Sequence, residues 1–413
     1  MKRHAVVVSG MGIVSSIGST LKEFESKLFA GNSGISAIGL DLDTRLSDSF
    51  PVPYAGSVNR QSLTSEKELS SQSESCLFSV AATVEAIKSL PDSSEVDAIV
   101  YGSADGIAFD DVYRFLKNPK FPVEDLPKSE DPLTAIQRYL YEVKNIKVAD
   151  DRLICVNSAC ASGNQAIGEA MQMIRTGEWQ RVLVGGVDTR CNPANLLNFN
   201  MLGALCTEDI APEKASRPFS KDRAGFVRGE GAATLLLESV AACRGRGGDY
   251  NAMISGYAMT SDAYRLTDGR EDGLCIIRAM QEAIKDADLI PDEISAVSAH
   301  GTSTPLNDRL ETMAIKKVFG EKAYQTPVTS LKSQIGHSTV AAGAIEAVAS
   351  VIMLKHAKLA PTVNLHQADP DCDLDYVPNR SRDQKLRHIL SNNFGFGGIN
   401  TCLVISHASE HTN

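Results

Sequence analysis

Leu153-Ile154-Cys155-Val156-Asn157-Ser158-Ala159-Cys160-Ala161-Ser162-Gly163 is the stretch on which the fold turns. Its opening residues are apolar and read as a buried strand over 153–157. Small residues then crowd a turn, and a helix begins just after Cys160. Residues 165–176 carry Ala166, Ile167, Ala170, Met171 and Ile174 on one face, and Gly177 is the stop. Strand, tight turn and amphipathic helix together form the repeating unit of an α/β protein.

The same alternation runs outward in both directions. Short apolar runs at 5–9, 98–101, 182–186, 233–238, 252–255, 296–299, 327–330 and 401–406 read as further buried strands. Helical patterns occupy 274–287 and 341–355. A weak internal echo links two segments. Residues 153–177 give strand, small-residue turn around a cysteine, then helix. Residues 328–356 give strand, small-residue turn around a histidine, then helix. Two such halves facing each other would bring Cys160 and His337 together. Polar or proline-rich stretches at 59–74 and 109–132 read as surface excursions.

A chain of 413 residues buries a large core without staples. Its 41 basic and 51 acidic residues leave a net charge of −10, which argues against general binding to nucleic acid or anionic membranes. The nine cysteines are odd in number and contain no CxxC pair, so zinc-ribbon and thioredoxin-like readings lack support. Most of them read as small core residues in a reducing compartment. The apolar run after Met1-Lys2-Arg3-His4 ends within four residues at Ser9-Gly10, so it reads as a first strand rather than a signal peptide. No stretch is expected to reach the roughly 18 apolar residues of a membrane span. The expected protein is soluble and cytoplasmic.

Four segments carry chemistry. Cys160 stands at a helix start, where unpaired N–H groups and a partial positive charge favour a thiolate and are expected to lower the thiol pKa. His300 stands in Ser298-Ala299-His300-Gly301-Thr302-Ser303-Thr304-Pro305, at a strand end where α/β active-site loops lie. Lys332 and His337 share Ser330-Leu331-Lys332-Ser333-Gln334-Ile335-Gly336-His337-Ser338, ahead of an Ala/Gly-rich helix. If buried, Lys332 needs a carboxylate, and Glu346 on that helix is the candidate. Asn392-Asn393-Phe394-Gly395-Phe396-Gly397-Gly398-Ile399-Asn400 permits unusual backbone angles and close approach. It is not a phosphate loop, because no Lys-Ser/Thr follows and it leads into a strand. Asp369, Asp371, Asp373 and Asp375 are not an EF-hand, because Leu374 and Arg380 hold the positions of its Gly and Glu. Each segment alone reads more readily as a plain structural role: a core cysteine, a satisfied histidine, a surface lysine.

As an ordered set, Cys160, His300, Lys332, His337 and Phe396 resemble the beta-ketoacyl-[acyl carrier protein] synthases, synthase II type, which include type II polyketide ketosynthases. The likeness extends from Val7-Val8-Ser9-Gly10-Met11-Gly12 through Ser216-Arg217-Pro218-Phe219, Gly225-Phe226-Val227-Arg228-Gly229-Glu230-Gly231 and Pro361-Thr362-Val363-Asn364-Leu365 to the 394–400 loop. The resemblance implies a thiolase-like fold with two pseudo-repeated halves in five layers, αβαβα. It places the nucleophile in residues 1–248 and His300, Lys332 and His337 in residues 249–413. It implies decarboxylative condensation of an acyl group on Cys160 with malonyl on acyl carrier protein. His300 and His337 would bind the malonyl thioester, Lys332 and Glu346 would fix them, and the Cys160 and Phe396 N–H groups would form the oxyanion hole. Phe396 would also be a gate. Thr302, Thr304, Asp308, Phe394 and Gly395 would line the substrate, and Glu311 matches a further acidic position of the family. No metal, redox cofactor or ATP is implied. The implied partners are a carrier protein bearing acyl or malonyl on phosphopantetheine, and either a second copy or a homologous chain-length-factor subunit.

Some positions depart from the family. Basic residues that receive the acidic carrier are replaced by Thr64-Ser65-Glu66-Lys67-Glu68-Leu69-Ser70-Ser71-Gln72, and Glu208 stands where many relatives place Arg. Leu133 to Leu140 differs from the family's small-residue helix before the nucleophile. These departures bring a specialised polyketide ketosynthase level with fatty-acid elongation. A thiolase would need a second catalytic cysteine, and Cys402 lies inside a predicted strand. A non-catalytic chain-length factor would lack the nucleophile. A cysteine hydrolase would need a positioned water, which nothing in the sequence indicates.

Overall fold

Ten strands and eight principal helices carry the architecture in a computed structural model that describes residues 3–38, 51–52, 54–63, 73–104 and 130–410. The strands are β1 (Val6–Ser15), β2 (Ala98–Gly102), β3 (Leu153–Val156), β4 (Arg181–Asp188), β5 (Gly231–Ser239), β6 (Ala252–Ser261), β7 (Ala296–Ser298), β8 (Val328–Thr329), β9 (His388–Gly395) and β10 (Ile399–His407). The helices are α1 (Leu21–Ala30), α2 (Glu74–Ala86), α3 (Pro132–Lys144), α4 (Ser162–Arg175), α5 (Pro193–Met201), α6 (Leu274–Asp286), α7 (Pro305–Phe319) and α8 (Ala342–His356).

The strand order is β8-β7-β9-β10-β6-β1-β5-β4-β2-β3. Cut between β6 and β1, it gives the same five-strand pattern twice. In each half three strands run parallel, and the next strand is antiparallel to both its neighbours. The halves meet where Val7 faces Met253 and Val8 faces Ala252. The internal echo is therefore a real duplication of topology.

Helices α4 and α8 form the central layer, packed on each other and on strands of both halves. Helices α2 and α3 cover the outer face of the first half, and α6 and α7 that of the second. Alternation along each strand explains the layering. Leu235 and Leu237 point to the central core while Leu236 points to the first outer core. Ile389 and Leu403 face inward, and Leu390, Cys402 and Val404 face the second outer core. Strands covered on both faces read as continuous apolar runs, which is how the sequence betrayed them. The five layers and the thiolase-like fold follow directly.

Differences from the sequence reading are local. Strand β9 was not predicted, because its second half, Ser391-Asn392-Asn393, is polar yet buried. The glycine segment at 394–400 is thus the turn of a hairpin, closing where Gly395 pairs with Ile399. The supposed excursions end in helices: Glu74 opens α2 behind the Ser73 cap, and Pro132 opens α3 behind the Asp131 cap. Their middles, 64–72 and 105–129, lie outside the described residues, as do Glu66, Lys67 and Glu68. One stretch, Thr339–His356, is after all long and apolar enough to cross a membrane by composition. It is the central helix with its lead-in turn, and 89% of it is buried inside the fold. None of the nine cysteines is in a disulfide, and seven are buried.

Candidate active site

Strand β3 ends at Val156, and the chain turns sharply through Ala159–Ala161 into α4. Ala159 takes φ +51°, so the turn is tight. Ser162 staples it: its hydroxyl accepts from Ser158 N (2.9 Å) and donates to Ala159 O (2.7 Å). Cys160 is thereby held at the helix start, 4% exposed. The second half builds the matching turn, Thr339–Ala341, ahead of α8. Gly163 and Gly343 let the two helix starts touch, since a Cβ on either would come within 2.5 Å of the other helix's backbone nitrogens.

His337 precedes that second turn, and its Nε2 lies 3.1 Å from Cys160 Sγ. The His300 ring stands nearly perpendicular to the His337 ring, with centroids 5.3 Å apart. The Phe394 and His300 ring centroids lie 5.4 Å apart, and the Phe226 and His337 rings meet edge to face with centroids 5.3 Å apart. Sequence reasoning thus names the three central residues, and the fold brings them to one point.

Electrostatics corrects one expectation. A helix N-terminus contributes about 0.3–1 kcal/mol to a nearby anion, less than one pKa unit at about 1.4 kcal/mol each. Burial acts more strongly and pushes the Cys160 thiol up to about 11, while Lys332, Arg228 and the Phe396 N–H pull it back. The resting group is a thiol, not a thiolate. Burial also holds both imidazoles well below the ordinary 6.5, reinforced by Lys332 and, at His337, by Arg228 and Arg190. Both are neutral. Their Nδ1 atoms are buried without a protein partner among the described residues.

Lys332 Nζ donates to Glu346 Oε1, and both residues are 2% exposed. Asn393 Nδ2 bonds the other oxygen of Glu346 at 2.8 Å. Glu311 accepts from His300 N and Gly301 N, each at 2.8 Å, and from Asn392 Nδ2 at 3.0 Å. The two faces of β9 therefore serve one carboxylate each: Asn392 meets Glu311 and Asn393 meets Glu346. Gly395 lies against the Cys160 turn, where a Cβ would sit 2.5 Å from Ser158 O. Phe396 is half-buried beside Leu196, Leu205 and Phe226. Thr302 and Thr304 bond each other at 2.9 Å. The Asp308 carboxylate turns away to Phe219 N (2.8 Å) and Arg223, pinning segment 216–219.

Several supporting residues escaped sequence reasoning. Asp262 accepts from Asn400 Nδ2 at 2.9 Å and from Arg270 N at 3.1 Å, and its own N–H donates to Gly398 O at 2.8 Å. It therefore clamps the glycine turn. Glu208, by contrast, is singled out by the sequence, and it pairs with Arg217. Buried Asp188 and Arg228 and half-buried Arg190 form a cluster behind His337. Asp188 and Arg228 stand 40 residues apart, so only the fold reveals their pairing.

The pH response follows from Glu311, which burial pushes up to about 7 against the pull of its three donors. As pH falls through that value the carboxylate takes a proton and gives up an acceptor for the His300 loop. Rates that depend on His300 are expected to fall on that acid limb, and Glu311→Gln to remove the limb. A pH–rate profile of the reaction at this site measures this; the same limb in the variant would assign it elsewhere. For stability the sign is opposite. A carboxyl raised on folding favours the native state below 4.5, and that share is lost as pH rises through about 7.

Comparison with known proteins places this geometry. Residues 152–242 match "Beta-ketoacyl synthase, N-terminal domain" and residues 251–366 match "Beta-ketoacyl synthase, C-terminal domain". The chain is 35% identical to the 3-oxoacyl-[acyl-carrier-protein] synthase 2 of Synechocystis sp., with 98% of each chain covered. A type II polyketide synthase acyl-carrier protein in complex with its ketosynthase, bound to the hexaketide, aligns with a TM-score of 0.86 at 31% identity, covering 98% of this chain and 99% of that one. The ishigamide ketosynthase/chain length factor aligns at 0.83 and 33% identity, with 98% and 99% covered.

Proposed function

The chain belongs to the beta-ketoacyl synthase family, and on that footing we propose that it joins an acyl group on Cys160 to malonyl on an acyl carrier protein. The products are carbon dioxide and a beta-ketoacyl carrier thioester. The observation that carries the assignment of residues is the 3.1 Å approach of His337 Nε2 to Cys160 Sγ.

Cys160 Sγ attacks the acyl thioester, and its proton passes by His337 to the departing carrier thiolate. With the carrier thiol gone, His337 is neutral again, and the tautomer with its proton on Nε2 donates to the next carbonyl. Malonyl then binds with its thioester carbonyl between His300 and His337. Neutral imidazoles donating N–H bonds stabilise the enolate formed as the carbon–carboxylate bond breaks. The enolate carbon attacks the acyl carbonyl, whose oxygen is held by the Cys160 and Phe396 N–H groups, and Cys160 leaves as the thiolate, which takes a proton from solvent to restore the thiol. Lys332 and Glu346 fix the histidines, and Phe396 gates the second substrate. Thr302, Thr304, Phe394 and Gly395 line the path, and Asp308 acts from behind. Residues 1–248 supply the nucleophile and 249–413 the histidines. Cysteines that form no disulfide fit a reducing cytoplasm.

A carrier protein is the natural donor, as in the polyketide ketosynthase complex. Pairing with a homologous chain-length-factor subunit is a second reading, supported by the ishigamide pair. The test is incubation of the purified protein with acyl- and malonyl-loaded carriers, with mass spectrometry of the carrier-bound products. A carrier ion gaining the acyl plus two carbons and one ketone oxygen is expected. No product from the protein alone, but product with a co-encoded homologue, would select the heterodimer. No product in either case would overturn the proposal.

A further inference from the structure

We infer that Asp188 and Arg190 are positioning residues that set His337 against Cys160 by gripping the hydroxyl of Thr339. The inference rests on the condensing role proposed above for these two site residues.

The two halves of the fold build the same turn but secure it differently. In the first half, Ala159 holds φ +51° and the Ser162 hydroxyl staples the turn from within. In the second half Thr339 takes the place of Ala159, with φ +32°, and Val340 takes the place of Cys160. A β-branched residue is strained at positive φ. The position of Ser162 is filled by Ala342, so the internal staple is missing. The tie comes from outside instead. The Thr339 hydroxyl donates to Asp188 Oδ2 and accepts from Arg190 Nη2 at 2.8 Å.

Asp188 is itself held fast. It ends β4, is 1% exposed, and is bonded by Arg190 at 2.6 Å and by Arg228 at 2.7 Å. Arg228 is wholly buried, lies 4.6 Å over the Phe199 ring, and reaches His337 O at 3.4 Å. Two residues before Thr339, the His337 N–H donates to Val227 O at 2.7 Å, and His337 O accepts from Gly229 N at 3.0 Å. Backbone bonds thus fix one side of the histidine, and the Thr339 grip fixes the other. Release of that grip lets the turn relax toward ordinary φ, and the imidazole moves with it.

Thr339→Val removes the hydroxyl at constant size while leaving Asp188 its two arginines; Thr339→Ser keeps the hydroxyl. In T339V the condensation kcat is expected to fall about 10-fold, because small misplacements of a reacting group are costly, with KM for the malonyl carrier held within about twofold. T339S is expected to recover kcat to within about twofold of the parent, since the same bonds re-form. Parental kcat in T339V, equal loss in T339S, or a change confined to KM would each overturn the inference. If T339V does not fold, Arg190→Lys replaces it: charge opposite Asp188 is kept, the bond to Thr339 is lost, and kcat is expected to fall about threefold. Alkylation of Cys160 by iodoacetamide, followed on its peptide by mass spectrometry, needs no carrier protein. It is expected to slow about threefold in T339V as the sulfur loses its acceptor. Unchanged alkylation overturns the positioning role, whereas absence of condensation in the parent overturns only the function proposed above.

Discussion

Replacing Cys160 with alanine is expected to lower acyl transfer from a carrier thioester by at least about 10³-fold, because Cys160 is the cysteine that the fold sets against an imidazole among the described residues. Cys206 bonds Tyr54 and Cys402 bonds Asn392, so neither is placed against an imidazole. The sulfur is the only partner that His337 Nε2 has at 3.1 Å among the described residues. A glutamine at the same position separates the two half-reactions. Cys160→Gln is expected to abolish condensation while retaining malonyl decarboxylation, since His300, His337 and Lys332 remain. Mass spectrometry of the acylated protein and release of labelled carbon dioxide read the two steps. Undiminished acylation of the alanine variant would remove the nucleophile from the account; loss of decarboxylation in the glutamine variant would show that the histidines do not act independently of the thiol.

The second large effect concerns stability. Lys332→Met is expected to destabilise the protein by about 3–5 kcal/mol, the usual cost of leaving one member of a buried ion pair without its partner. Glu346 would then stand in the central layer with Asn393 alone. Burial already pushes its carboxyl up, and Lys332 is what pulls it back, so in the variant it takes up a proton. The double change Lys332→Met with Glu346→Gln is expected to restore most of the loss, because a neutral amide still meets Asn393. Urea unfolding of the parent, both single variants and the double variant measures the coupling directly. Additive losses would mean that the short contact contributes nothing beyond its two separate environments. Decarboxylation is expected to fall in K332M as well, since the ammonium helps to keep both imidazoles neutral.

Much of the fold was legible because its strands are covered on both faces. Leu235-Leu236-Leu237 needs no alternation to announce a strand, since each neighbour serves a different core. The amphipathic face of α4 was read residue by residue, and all five predicted apolar positions are buried. Strand β9 was missed for the opposite reason. Asn392 and Asn393 are fully buried to serve Glu311 and Glu346, and a polar pair carries no period that marks a strand. The lowered thiol pKa was wrong in sign because a helix terminus is visible in sequence, whereas the depth at which the sulfur sits is not.

The sequence by itself determined the layered α/β plan, the duplicated turn-and-helix unit and the identities of Cys160, His300, Lys332 and His337. These follow from local order: apolar runs, small-residue turns and helix starts lie in consecutive residues. Tertiary structure alone decided that the thiol is protonated at rest, that Asp308 faces Phe219, and that Asp188 and Arg190 hold the turn beside His337. Those properties depend on dielectric environment and on contacts between residues about 150 positions apart, and charge interactions and burial act through space rather than along the chain.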